Sequence, residues 1–251
     1  MNIRPFLHDG FQLRVDRIGT SGQPIIVIDN FLLDAGLMVE YAATEARFGP
    51  AGALYPGIQA PIPSPYPFFA HFFTRSLIPE IFGLGALDVV DCRSNFSMML
   101  KTADQVGVRQ RLPHMDMVEP NHIVLLHYLF SDKNSGTSFY RHRSTGFEIM
   151  EKPQRGPYEA ALGDEILRHP QTDYIHGDTE IFERIGAYEA VFNRAILYRS
   201  NILHAATIPP DFAPSEDPRN GRLTANTTFF YAEPVGFFGK GYYRYNHLHT
   251  T

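Results

Sequence analysis

Arg111-Leu112-Pro113-His114-Met115-Asp116-Met117 is the stretch on which the reading of this chain turns. If residues 114 to 116 are extended, the period-2 alternation of a strand puts His114 and Asp116 on one face and Met115 on the other. An imidazole and a carboxylate then aim at a common point. A histidine from a distant strand would complete two imidazoles and one carboxylate on one side of a metal, a triad that leaves open positions on Fe(II). His204, in Asn201-Ile202-Leu203-His204, is the candidate.

The spacing alone is not selective, because it recurs at His176-Gly177-Asp178. Context separates the two. His114 follows a strand expected from Val106 to Leu112 and precedes the β-branched run Ile123-Val124-Leu125-Leu126, whereas Asp178 before Thr179-Glu180-Ile181 reads as a helix N-cap. The interval to His204 is 87 residues from Asp116 and 25 from Asp178. A barrel that gathers ligands from non-adjacent strands needs the longer one.

At 251 residues the chain lies in the range where all-β barrels remain single domains. The expectation is one domain over residues 1–251, with a flank to about residue 92, a barrel core over about 93–234 and an extension over 235–251. A formal charge of −5 and a pI near 6.1 argue against a nucleic-acid partner. No apolar run reaches membrane-span length and no leader pattern opens the chain, so no membrane partner is expected. The lone Cys92 excludes an internal disulfide and fits a reducing cytoplasm, the expected location.

Along the chain, Phe11 to Val15 and Pro24 to Ile28 read as strands, the second buried on both faces. A helix is expected from Asp34 to Gly49. Residues 49–67 are rich in Pro and Gly and read as a loop, either a lid on the substrate side or a surface connection. Pro67 to Phe82 reads as one helix with an aromatic flank, and Ala86 to Val90 and Asn95 to Leu100 as two strands. Ile123 to Phe130 and Thr137 to Tyr140 around an Asn/Gly turn predict a hairpin. Tyr158 to Arg168 reads as a helix, Arg194 to Ser200 as a strand, 208–220 as a loop and Arg222 to Tyr231 as a long strand. The fold class is therefore mainly β with flanking helices, a jelly roll.

Arg222 lies 18 residues beyond His204 and shares a strand face with Thr224 and Asn226. A guanidinium presents a rigid fork of donors matched to a carboxylate, and the Thr224 hydroxyl can donate to the same oxygens. The competing reading makes Arg222 half of a structural ion pair. Metal ligands plus this clamp describe a site for a small dicarboxylate that chelates metal at one end.

His-x-Asp at 114–116, the distal His204 in a Leu-His context and Arg222-Leu223-Thr224 on a strand running into Phe229-Phe230 together resemble the Fe(II)/2-oxoglutarate-dependent dioxygenase superfamily. Within it, the pattern is similar to the prolyl-4-hydroxylase-like branch and most of all to an uncharacterised bacterial family of that branch. The resemblance covers about residues 24–234. It implies a double-stranded β-helix of the cupin-like type, with His114, Asp116 and His204 as catalytic metal ligands, Fe(II) as metal and 2-oxoglutarate as cosubstrate. It places the cosubstrate carboxylate on Arg222 with Thr224 assisting, and implies that Tyr128, Asn95 or Tyr140 completes that pocket. The chemistry implied is oxidative decarboxylation of 2-oxoglutarate coupled to hydroxylation; a retained Asp116 speaks against the halogenating relatives, which lack the carboxylate ligand.

The substrate is expected to be a small molecule or a side chain. Arg141 and Arg143 in Arg141-His142-Arg143 would favour an anionic one, although exposed charge more often only meets solvent. His122 and His127 read as packed or surface residues. The stretch from Tyr242 to His249 is compatible with packing across the barrel or with association into a homodimer. Two other classes compete: a non-catalytic jelly-roll module binding a small carboxylate or metal through the same residues, and a cupin-like isomerase or hydrolase, for which no further ligand cluster is visible.

Overall fold

The computed structural model describes residues 6–52 and 55–234. β1 (Gln12–Ile18) and β2 (Gln23–Asp29) form an antiparallel hairpin across a turn whose Gly19 and Gly22 both take positive φ. β2 is the continuous run Ile25-Ile26-Val27-Ile28, buried on both faces as its lack of alternation predicts. Then come α1 (Gly36–Thr44), β3 (Gly49–Pro50), β4 (Gly57–Pro61), α2 (Pro65–Thr74), α3 (Leu77–Phe82) and β5 (Asp88–Met99). The remainder is α4 (Val108–Arg111), β6 (His122–Tyr128), β7 (Asp132–His142), α5 (Lys152–Arg168), β8 (Phe182–Ala190), β9 (Ala195–Arg199), β10 (His204–Thr207) and β11 (Leu223–Ala232).

Among the described residues an eight-stranded sheet runs β1-β2-β9-β6-β11-β5-β4-β3 and a three-stranded sheet runs β10-β7-β8. The bridge between His114 and His204 adds a fourth, one-residue rung beside β10. From β5 onward the chain alternates between the sheets: β5 large, residue 114 small, β6 large, β7 and β8 small, β9 large, β10 small, β11 large. That alternation of antiparallel strands defines a double-stranded β-helix, the jelly-roll class expected from the sequence.

Three of the four apolar clusters among the described residues follow from strand alternation. Helices α1 to α3 cover the outer face of the large sheet through Met38, Tyr66, Ile78, Phe96, Met98, Leu223 and Phe229. Between the sheets lie Ile25, Val27, Val124, Tyr128, Phe139, Ile196 and Tyr198. α5 covers the small sheet with Tyr158 and Leu162 against Tyr140 and Phe182. Thr224 faces Tyr128 and Ser97 across the ladders, and Asn226 faces Asn95 and Leu126. Cross-strand partners share a face, so the barrel interior on the β5–β11 side is polar.

Several expectations are corrected. Residues 49–67 are not all loop: β3 and β4 extend the large sheet, because Gly57 lets the backbones meet where an added Cβ would stand 1.9 Å from the Met98 carbonyl. Residues 106–112 form no strand. Thr102 and Gly107 each start a turn closed by the Gln three positions on, whose side chain accepts from the turn's first N–H at 2.9 and 3.1 Å, and α4 results. β6 and β7 are not a hairpin; they lie in different sheets, and the expected turn glycine, Gly136, sits inside β7 opposite Glu189. Asp178 caps no helix: its carboxylate accepts from the Arg184 N–H at 2.6 Å at the start of β8. α1 starts after Ala35 and ends at Thr44, the helix expected over 67–82 divides into α2 and α3 at Arg75-Ser76, and the two strands expected over 86–100 are the single β5. The stretch from Tyr242 to His249 lies outside the described residues, among which no helix is long and apolar enough to cross a membrane.

Candidate metal and carboxylate site

Pro113 shapes the triad segment. It disfavours helix at Leu112, which is extended (φ −105°, ψ 163°), so α4 stops at Arg111 and the chain enters the small sheet. Arg111 anchors the corner by donating to the carbonyls of Ala103, Val106 and Gln171 at 2.8, 2.8 and 2.9 Å, while Leu112 is buried beside Tyr140 and Leu203. His114 and His204 then exchange both backbone hydrogen bonds at 2.8 Å, and the Asp116 N–H donates to the Ser200 carbonyl at 2.9 Å. Main-chain pairing alone sets three side chains, 90 positions apart at the extremes, beside one another.

The donor atoms of His114, Asp116 and His204 all lie within 4.8 Å of one another. His114 Nε2 and His204 Nε2 stand 3.7 Å from Asp116 Oδ1 and Oδ2 respectively. His204 is buried, and its Nδ1 lies 2.9 Å from the Ile202 carbonyl. Nδ1 therefore carries the proton, and the Nε2 lone pair faces the other two donors. Desolvation by the surrounding protein, then the neighbouring His204 ring, hold the His114 imidazole well below its usual pKa, with Asp116 and Leu112 opposing. A neutral imidazole is the form that ligates. The His114 and Asp116 side chains are 55% and 39% exposed, so the triad opens to solvent on that side. On the inner side Tyr198 and Phe139 pack on His204, with ring centroids 4.9 and 6.3 Å away.

Arg222 is 7% exposed. Its Nε donates to Ser135 Oγ at 3.3 Å, its Nη2 to the Gly136 carbonyl at 2.8 Å, and its guanidinium lies 5.3 Å from the Phe130 ring centre. Among the described residues no carboxylate pairs with it, which removes the ion-pair reading. Among the described residues the rest of the guanidinium fork has no partner, and Arg222 lines a cavity of about 600 Å³ with Phe130, Ser135, Phe192, Phe212 and Asn220. The triad residues do not line this cavity. Burial pushes the Tyr198 phenol far up, with the Asp116 charge raising it further and the Arg222 charge opposing.

The other candidates separate clearly. Thr224 is buried beside Ser97, with its hydroxyl 3.5 Å from the Ser97 carbonyl. Tyr128 is inside the barrel but donates to Thr137 Oγ1 at 2.7 Å. Asn95 lies on the same inner face, its amide donating to Ser97 Oγ at 2.7 Å. Tyr140 points away from the barrel into the layer under α5, because alternation along β7 sends its neighbour Phe139 inward. Arg141 and Arg143 are engaged within the protein: Arg141 with Glu148 and Glu183 at 2.5 and 2.8 Å, Arg143 with the Thr179 carbonyl at 2.9 Å. His142 is buried against Glu165 at 2.6 Å, and His127 sits fully buried between Asn193 and Tyr66. Sequence analysis missed Tyr198, which was visible in the alternation of Ile196 and Tyr198.

Fold and site together define a class: a double-stranded β-helix domain that brings two imidazoles and one carboxylate together and buries a guanidinium with no acid partner among the described residues. Comparison of the sequence then gives its family. The chain belongs to DUF6445, a family of unknown function, whose model matches residues 9–229. No curated protein matches the chain. Among solved structures, the non-heme alpha ketoglutarate dependent carbocyclase SnoK from nogalamycin biosynthesis is 10% identical, with 83% of this chain and 79% of that chain covered and a TM-score of 0.40. The non-heme alpha ketoglutarate dependent epimerase SnoN from the same biosynthesis is 13% identical, with 87% and 86% covered and a TM-score of 0.39. At these identities and scores neither neighbour says what this chain does.

Proposed function

We propose that this protein is an Fe(II)- and 2-oxoglutarate-dependent oxygenase of the hydroxylase type. The observation that carries the reading is the coexistence, in one barrel, of three metal-type donors within 4.8 Å and a buried arginine with no acid partner among the described residues. The donor set fits iron: two neutral nitrogens and one carboxylate on one side of a centre is the facial arrangement that suits non-heme Fe(II). Two ligands at right angles about 2.1 Å from one ion stand about 3.0 Å apart, so donors now 3.7 Å from each other reach it by small side-chain rotations.

Bound there, Fe(II) with 2-oxoglutarate would supply O₂-driven oxidation of a substrate C–H bond coupled to decarboxylation of the 2-oxoacid. The protein's own part is orientation and water exclusion. The Ile202 carbonyl fixes the His204 tautomer, and Phe139 and Tyr198 keep that ring's inner side dry. Arg222 and Thr224 hold the distal carboxylate of the cosubstrate, and the exposed side of His114 and Asp116 is the approach for a small-molecule or side-chain substrate. The prolyl-4-hydroxylase-like branch and a cytoplasmic setting belong to this reading on the sequence motifs and the lone cysteine. The test is succinate release from 2-oxoglutarate with Fe(II) and ascorbate. Wild type forms succinate, whereas His114→Ala and Asp116→Ala do not; 2-oxoglutarate binding without succinate would instead make the domain a binding module.

A further inference from the structure

β1 is an edge of the large sheet: among the described residues it pairs with β2 and with no other strand. An edge leaves a row of backbone N–H and C=O groups open to a further strand. The seven residues of β1, Gln12-Leu13-Arg14-Val15-Asp16-Arg17-Ile18, include no proline, and all but Asp16 and Ile18 are exposed. Alternation divides their side chains between two faces. Leu13 and Val15 stand opposite Ile28 and Ile26, so they lie on the face that the helices cover, yet they remain 37% and 40% exposed. Ile18 is buried between the sheets, which puts Arg14 and Asp16 on that other face. Arg14 lies 3.3 Å from Asp16 and 3.7 Å from Asp29, but Asp29 is already held by Arg194 at 2.5 and 3.1 Å. Arg14 and Asp16 are therefore two partly exposed opposite charges on an open edge, free to exchange partners.

We propose that β1 pairs antiparallel with β1 of a second copy of this chain, about a twofold axis at Val15, so that the large sheet continues through a homodimer. A twofold axis that continues a sheet keeps every side chain on its own face, so the register must centre on a residue. A centre at Arg14 sets Arg14 against its own copy, and a centre at Asp16 does the same with Asp16; like charges directly opposite destabilise a sheet. Val15 is the middle of the strand, and a centre there overlaps all seven residues. It opposes Arg14 of each copy to Asp16 of the other, two favourable pairs, and sets no like charges opposite one another. Leu13 then faces Arg17, whose methylene stem can cover it. On the same face Val15 meets Val15, and the row runs on to Phe11, which packs on Phe73 of α2 with ring centroids 5.9 Å apart. The edge is thus complementary to its own antiparallel copy, which is what an isologous interface requires. The inference stands independently of the oxygenase reading.

The experiment is sedimentation velocity on the full chain over a dilution series at low salt, where surface charge is least screened. One short edge makes a small interface, so wild type should pass from dimer to monomer on dilution through roughly the micromolar range. Arg14→Asp and Asp16→Arg each turn two attractive cross-strand pairs into repulsive ones and should weaken association about tenfold or more. The double variant Arg14→Asp/Asp16→Arg restores opposite charges in the same register and should recover the wild-type dimer. Far-ultraviolet dichroism and urea midpoints close to wild type show that each variant is folded, as expected for exposed positions. A wild type that stays monomeric at the highest concentration overturns the inference. So does a dimer that neither single variant weakens, because its interface then lies elsewhere. A double variant no stronger than the single ones overturns the Val15 register.

Discussion

Replacing Arg222 by Met separates a ligand anchor from a structural arginine, because the two roles predict different stabilities. The structure supplies the terms. The guanidinium makes hydrogen bonds to Ser135 Oγ at 3.3 Å and the Gly136 carbonyl at 2.8 Å, each roughly 1.5–3 kcal/mol for a charged partner. Its place 5.3 Å over Phe130 adds about 1–2 kcal/mol in a desolvated setting. Against these stands the several kcal/mol needed to keep an unpaired guanidinium out of water. The terms nearly cancel, so Arg222→Met should change unfolding free energy by less than about 2 kcal/mol, whereas breaking a buried ion pair costs about 3–5 kcal/mol. The ligand response should disappear. For wild type, 2-oxoglutarate at a hundred times its Kd contributes about 2.7 kcal/mol, or roughly 5–11 °C in Tm at about 2–4 °C per kcal/mol. The assay is thermal and urea unfolding of both proteins under anaerobic Fe(II), with and without 2-oxoglutarate. A variant that loses more than about 3 kcal/mol, or that keeps the ligand-induced rise, refutes the reasoning.

Three further outcomes are expected. Asp116→Ala should weaken Fe(II) binding beyond the roughly 10–100-fold that loss of an outer-shell partner costs, read by anaerobic metal titration, while far-ultraviolet dichroism is unchanged. Glu148 is held down to about 2 from its ordinary 4.5: burial opposes this, but hydrogen bonds from Ser21, Thr20 and Arg141 outweigh it. Because the folded-state pKa is depressed, its contribution is complete above 4.5 and is lost as pH falls toward 2, so urea midpoints should fall over that window in wild type and stay flatter in Glu148→Gln. Gly57→Ala should cost about 1–3 kcal/mol or more, since the new Cβ would meet the Met98 carbonyl at 1.9 Å; an unchanged urea midpoint would remove the role given to that glycine.

The convergence of the candidate site residues was legible where chemistry and alternation coincide. His114-Met115-Asp116 needs only an extended backbone to aim two donors one way, and Arg222, Thr224 and Asn226 share a face for the same reason. Strands without a competing local signal, such as β2 and β9, were equally plain. What stayed hidden depends on partners far along the chain. The stretch from Val106 to Leu112 read as a strand, yet side-chain caps from Gln105 and Gln110 and the constraint of Pro113 turn its middle into helix. The Pro and Gly of residues 49–67 suggested a loop, either a lid or a surface connection, because nothing local shows that Gly57 can nestle against Met98. Arg141 and Arg143 looked available in sequence; Glu148, Glu183 and the Thr179 carbonyl occupy them once β7 and β8 pair.

The central claim is that residues 114, 116 and 204 hold one iron beside the carboxylate anchor at residue 222. Titrating anaerobic Fe(II)-loaded protein with 2-oxoglutarate, and following the weak visible charge-transfer absorption of the chelate, tests it most directly. The account predicts a saturable band in wild type that is lost in Asp116→Ala and appears only at much higher 2-oxoglutarate in Arg222→Met. A wild-type protein that binds Fe(II) but develops no band at any 2-oxoglutarate concentration, or an Asp116→Ala variant that develops the same band, would contradict it.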